Sequence, residues 1–140
     1  MKLSMMSYTL ARQGWKKNNV FDLKGMCDLC RELNLDGVDM ITTYGIDPQE
    51  IRRIFDDYGL KTICYTFFAD LIFADAHGRK AGVDQIKQGL DMALALGTDK
   101  VMIPMGGKDP TPRDLCRRYT IRGLQEAAVL ARHAGITLTV

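Results

Sequence analysis

Apolar residues along this chain follow two alternating rhythms, one repeating about every second residue and one about every 3.6. Lys2 to Thr9 reads as a first strand, and it leads into a polar loop through Gly14, Trp15 and Asn19. From about Phe21 to Asn34 the rhythm is helical: Leu23, Met26, Cys27, Cys30 and Leu33 recur at spacings of three and four, which gathers them on one face. Gly37 to Ile41 is a short second strand.

The second helix carries the clearest start signal. Asp47 is an N-cap, Pro48 suits the first helical position, and Glu50 completes a pattern like a capping box. Ile51, Ile54, Phe55 and Tyr58 form its inner face, and Gly59 closes it. Lys61 to Ala69, rich in β-branched and aromatic residues, is a third strand. After a loop around Asp75, Ala76, His77 and Gly78, a long helix runs from about Lys80 to Leu96. Lys100 to Met105 is a nearly all-apolar fourth strand, as expected where both faces are covered. A fourth helix starts around Thr111-Pro112-Arg113-Asp114 and ends at Gly135, and Ile136 to Val140 opens a fifth strand.

Helices between consecutive strands impose parallel pairing with right-handed crossovers, so the chain is a single α/β domain or part of one. Two architectures fit. One is a flavodoxin-like doubly wound sheet of five strands, which should end in a helix covering the last strand. The other is the first four and a half units of a (β/α)8 barrel, a fold of about 250 residues. The fifth strand has no helix after it, which favours the barrel and places residues 1–140 in its N-terminal half. As half a barrel, strands one and five would be unpaired edges, so the isolated segment is expected to self-associate.

Composition narrows the range of function. An apolar fraction of 46% supports a real core. Nineteen basic against 17 acidic residues leave a net charge of +2. The basic pairs Lys16-Lys17, Arg52-Arg53 and Arg117-Arg118 lie in separate segments, whereas nucleic-acid binders concentrate positive charge. No apolar run reaches the ~20 residues of a membrane helix, and MKLSMMSYTL is a poor signal peptide. The partners expected are therefore neither nucleic acid nor membrane. Four cysteines without a secretory signal imply a reducing, cytoplasmic setting.

Ser7-Tyr8 near the end of strand one, "ELNLDGVDM", "DYGLKTICY", "GLDMALALGTDKVMIPMGG" and "AAVLARHAGITLTV" occur in an order and spacing that cover the whole chain. Together they resemble the N-terminal half of a xylose isomerase-like TIM barrel, the sugar isomerase/epimerase superfamily. The resemblance implies isomerisation or epimerisation of a sugar or sugar phosphate, by proton transfer next to a carbonyl with a divalent metal, Mn, Mg, Co or Zn. In that family the first metal-binding carboxylate stands at the end of the fifth strand, here immediately after Val140. The chain would thus hold none of the metal ligands, and the segment alone is expected to be inactive. Its contribution would be substrate-binding surface at C-terminal strand ends: Tyr8, Asp39, Thr42, Tyr65, Phe67, His77, Gly106 and Gly107, with Met105 beside them. For each of these a barrel-filling or helix-facing role stands beside substrate contact.

Other patterns carry less. Cys27 and Cys30 have redox-motif spacing but fall on the apolar stripe of a helix, away from the N-terminus where a dipole lowers thiol pKa, so they read as buried structural thiols. Cys64 and Cys116 read as core or near-core. His133 near a helix C-terminus suits the dipole and no chemistry. Gly106-Gly107-Lys108 lacks the earlier glycine and the Ser/Thr of a phosphate loop. The eight methionines read as core filling. Two other functions compete. An AP-endonuclease-like barrel would carry histidines on its early strands, and "KTICYTFFA" and "KVMIPMG" have none. A non-catalytic flavodoxin-like binding module would need a Ser/Thr/Gly phosphate loop after strand one, and "SYTLARQGW" is a poor version.

Overall fold

The computed structural model describes residues 3–17, 20–72, 75–105 and 112–140. In chain order its elements are β1 (Ser4–Met6), α1 (Ser7–Arg12), β2 (Lys16–Lys17), β3 (Val20–Phe21), α2 (Leu23–Glu32), β4 (Gly37–Ile41), α3 (Pro48–Tyr58), β5 (Lys61–Thr66), α4 (Ala76–Ala95), β6 (Lys100–Met102), α5 (Arg113–His133) and β7 (Thr137–Thr139). The main sheet has five strands in the order β1-β4-β5-β6-β7, and every neighbouring pair is parallel. Spatial order therefore follows chain order without a reversal. A doubly wound sheet needs a switch point where the order turns back, so the flavodoxin-like alternative is corrected here. Successive right-handed crossovers in one direction place the long helices on one side of the sheet, as in a (β/α) barrel wall.

Local chemistry explains most elements. The Asp47 carboxylate accepts from the backbone N–H of Gln49 (2.8 Å) and Glu50 (3.2 Å), and Gly59 ends α3 at φ 68°. Asp22 caps α2 by accepting from Gly25 N–H at 3.0 Å. Ile51, Ile54 and Phe55 bury the inner face of α3, each contributing about 1.5–3 kcal/mol of transfer free energy. They join Met26, Val38, Met40, Ile86, Val101 and Ile103 in one core between sheet and helices.

Several boundaries differ from the sequence pattern: β5 ends at Thr66, not Ala69, and β6 at Met102, not Met105, where their pairing stops. β1 ends at Met6, not Thr9, because Ser7 starts the short α1 and Leu10 turns into the core beside Phe21 and Leu23. The stretch through Trp15, read as a polar loop, contains the antiparallel pair β2–β3. Phe21 is buried there, and Trp15 Nε1 donates to the Asp22 carbonyl at 3.2 Å. α4 begins at Ala76, ahead of Lys80, because the Asp75 carboxylate accepts from Gly78 N–H at 2.7 Å and caps it.

Candidate active site

Register assigns each strand residue to a face. Met40, Tyr65, Val101 and Leu138 are successive partners across β4, β5, β6 and β7 and share the face covered by helices. Met6, Asp39 and Cys64 are successive partners across β1, β4 and β5 and share the other face, as do Thr66, Met102 and Thr139 further along. This second face, which a closed barrel would turn inward, carries polar groups where barrel interiors are normally filled by Val, Ile and Leu.

Asp39 is its central feature. Half-buried, it accepts from Ser4 Oγ at 2.8 Å, and among the described residues no Lys or Arg forms an ion pair with it. Most of the carboxylate's acceptor capacity is left for another donor. The Cys64 thiol is pushed up, first by burial and then by the Asp39 charge, against smaller opposing effects from a Thr139 hydrogen bond and Lys100. That dependence places Cys64 within electrostatic reach of Asp39. Thr139 Oγ1 donates to the Val101 carbonyl at 2.9 Å.

At the C-terminal strand ends the backbone is strained. Thr42 and Tyr44 lie at φ 58° and 53°, followed by Gly45 at 79°. A β-branched residue in the left-handed region costs about 1–3 kcal/mol, so surrounding structure must hold it. Thr42 Oγ1 accepts from Tyr44 N–H at 3.2 Å, and Thr42 N–H donates to the Thr66 carbonyl at 3.4 Å. Ser7, fully buried, accepts from Ile41 N–H at 2.9 Å and shares a 2.9 Å hydrogen bond with the Tyr44 hydroxyl.

Of the residues singled out from sequence, Asp39 lies on the open face and Thr42, with an exposed side chain, at its C-terminal rim. Tyr8 follows the C-terminal end of β1 on the short α1, 43% exposed, with the Arg12 guanidinium 5.7 Å from its ring centre. Tyr65 and Phe67 are buried toward the helices. Their rings stack at 6.0 Å, and Phe67 occupies the place a Cβ on Gly89 of α4 would need. His77 is in the first turn of α4, exposed, rather than in a loop. Gly106 and Gly107 lie outside the described residues, and Met105 is exposed. Sequence reading missed Ser4 and Tyr44, and it read Ser7 only as part of strand one. Alternation along β1 does place Ser4 with Met6, but the Ser7–Tyr44 contact spans two loops and leaves no local signal.

Among the described residues no group of three or more His, Cys, Asp or Glu is placed to hold a metal ion. Cys64 is the register partner of Asp39 on the open face, and both histidines are on helices, His77 on α4 and His133 on α5. The described residues therefore do not by themselves fit the divalent metal that the resemblance implies. Cys27 and Cys30 are fully buried in α2. The Cys27 thiol is pushed up to about 12, by burial first and then by Cys30, Asp28 and Asp22, as expected of an inert thiol. A cavity of about 380 Å³ lies at the opposite end of the sheet, lined by Arg52, Asp56, Lys61 and Thr98 among others. That end of a barrel serves stability.

A parallel sheet in chain order, with a polar open face and a strained rim, defines half of a (β/α)8-type wall. The sequence profile of the xylose isomerase-like TIM barrel family matches residues 27–140, and the chain belongs to that family. Solved structures agree in fold. Protein SMc04130 of Sinorhizobium meliloti 1021 superposes with a TM-score of 0.80 at 24% identity, over 98% of this chain and 49% of that one. A sugar phosphate isomerase/epimerase of Parabacteroides distasonis gives 0.78 at 13% identity, over 98% and 49%. An AP endonuclease, family 2, of Brucella melitensis gives 0.72 at 22% identity, over 99% and 54%. The chain spans about half the length of these proteins. No curated protein matches it significantly.

Proposed function

We propose that the protein carrying this chain is a sugar or sugar-phosphate isomerase/epimerase of the cytoplasm, moving a proton next to a carbonyl, and that residues 1–140 form the N-terminal half of its barrel. The observation that carries this reading is Asp39: a half-buried carboxylate on the open face, held by one hydroxyl and free to accept from a polyol. Family membership and the fold shared with a sugar phosphate isomerase/epimerase support it. Asp39 and Thr42 bind and orient sugar hydroxyls. Tyr8, His77, Gly106 and Gly107 remain substrate contacts in this reading, and Tyr65 and Phe67 act by seating α4. A divalent metal, Mn, Mg, Co or Zn, belongs to the whole protein and would be held by residues outside this set. β1 and β7 each pair with one strand only, so the segment taken alone would self-associate through these edges and lack activity.

The nuclease reading draws only on the shared fold. The two histidines sit on helices, and the net charge is +2. The test is to incubate the full protein in D2O with ketoses and ketose phosphates, with and without Mn2+, and follow the carbon next to the carbonyl by NMR. Deuterium at that carbon, slowed about tenfold or more by Asp39→Asn at sugar concentrations below saturation, is the expected result. Cleavage of abasic DNA with no sugar exchange would overturn it.

A further inference from the structure

Tyr44 is tied down in three directions. Its hydroxyl meets the fully buried Ser7 Oγ at 2.9 Å, and Ser7 in turn accepts from Ile41 N–H, the last residue of β4. Its ring stacks on Phe21 of β3 with centroids 4.2 Å apart and planes at 21°. Its backbone N–H donates to Thr42 Oγ1, inside a turn whose Thr42 and Tyr44 are both left-handed. Two residues on, Ile46 N–H donates to the Thr43 carbonyl at 3.0 Å. A ring alone would satisfy the stack, and a phenol pays desolvation here: burial pushes the Tyr44 hydroxyl up, against the Ser7 hydrogen bond. The hydroxyl therefore has a task beyond packing.

We propose that Tyr44 is a positioning residue: pinned to Ser7 by its hydroxyl and to Phe21 by its ring, it holds the turn Thr42–Gly45 in a form Thr42 would not keep alone, and so fixes Thr42 at the rim for a bound sugar. The link to sugar rests on the isomerase reading. The clamp itself does not. It also joins two loops, the one carrying β2–β3 and the one after β4, so that they move together.

The experiment uses the full protein and two readouts. Tyr44→Phe keeps the stack and removes the hydroxyl. Amide hydrogen exchange across residues 42–46 should speed up about tenfold, as loss of one part-buried hydrogen bond implies, while amides of β4 and β5 stay within about twofold. With an active sugar, KM should rise about tenfold and kcat stay within about twofold. Thr42→Asn is the rescue. Asparagine adopts the left-handed region readily, and its side-chain oxygen can accept from Tyr44 N–H, so in that background Tyr44→Phe should leave exchange nearly unchanged. Uniformly faster exchange over the sheet, or no rescue by asparagine, would overturn the proposal. Local, rescued exchange in a protein that turns over no sugar would uphold the clamp and sink the isomerase reading. Should Tyr44→Phe fail to fold, Thr42→Asn alone still decides: slower exchange in the turn supports stored strain, and faster exchange refutes it.

Discussion

Asp39 and Met40 are neighbours in β4, yet they face different surroundings. Met40 is fully buried beneath the helices, whereas Asp39 is half exposed on the open face and accepts from Ser4. The same division runs across the sheet, with Tyr65, Val101 and Leu138 on one side and Met6, Cys64 and Met102 on the other. The helix side uses volume, shape and close contact. The open side mixes Met6 and Met102 with the Asp39 carboxylate, the Cys64 thiol and the hydroxyls of Thr66 and Thr139. If the open side serves recognition as proposed, stability and recognition are divided between alternate residues of single strands, and substitutions one position apart should have unlike consequences.

The largest effect is expected at Met40. Met40→Ala removes a buried side chain from a close-packed interior and should cost about 2–5 kcal/mol in urea unfolding of the full protein. A cost under about 1 kcal/mol would mean that the helix side is not the main source of stability. Next comes the buried thiol of α2. Cys27 is raised from 9.0 to about 12 in the folded state, so the protonated thiol is favoured by folding. Its contribution is complete below pH 9 and is lost as pH rises toward 12, at about 1.4 kcal/mol per pH unit for this one group. Urea midpoints at pH 8 and pH 10 should therefore differ, and Cys27→Ala should reduce the difference.

Gly89→Ala probes contact on the helix side. Its Cβ would run into the Phe67 ring, so α4 or the ring must shift, at about 1–3 kcal/mol. Unchanged thermal stability would show that Phe67 has room to move. Asp47→Ala, which removes the cap of α3, should cost about 1 kcal/mol. The smallest stability change is expected on the open side. Asp39→Asn keeps an acceptor for Ser4 and should shift stability by less than about 0.5 kcal/mol while weakening sugar binding about tenfold or more. If it destabilises as much as Met40→Ala, the two sides are not functionally divided.

Much of the framework is legible in residue order. Asp47, Pro48 and Gly59 bracket α3 because capping is local chemistry between residues a few positions apart. Gly37–Ile41 matches the strand read from its pattern, and the apolar stripe of α2 places Cys27 and Cys30 inside. The β2–β3 pair was not legible. Its strands are two residues each, shorter than any period, and it depends on Phe21 reaching the core and on the Trp15–Asp22 contact. The beginning of α4 escaped the helical rhythm because a capping contact at Asp75, not apolar spacing, sets it.

Of the candidate site, Asp39 and Thr42 could be named from their place at the end of the second strand, but the face of each residue could not. Tyr65 and Phe67 show why: a register shift between β4 and β5 at Val38/Asp39 resets the alternation, and only pairing with neighbouring strands decides which side an aromatic takes.

Residue order by itself determined the alternation of the main strands and helices, the caps of α3, the buried thiols of α2 and the parallel α/β class, because each depends on contacts within a few residues or on a repeating period. Tertiary structure alone decided the sheet order that excludes a doubly wound fold, the face that presents Asp39, and the Ser7–Tyr44 contact across 37 positions. These depend on long-range pairing, where residues far apart in sequence become neighbours only after the sheet has closed its register.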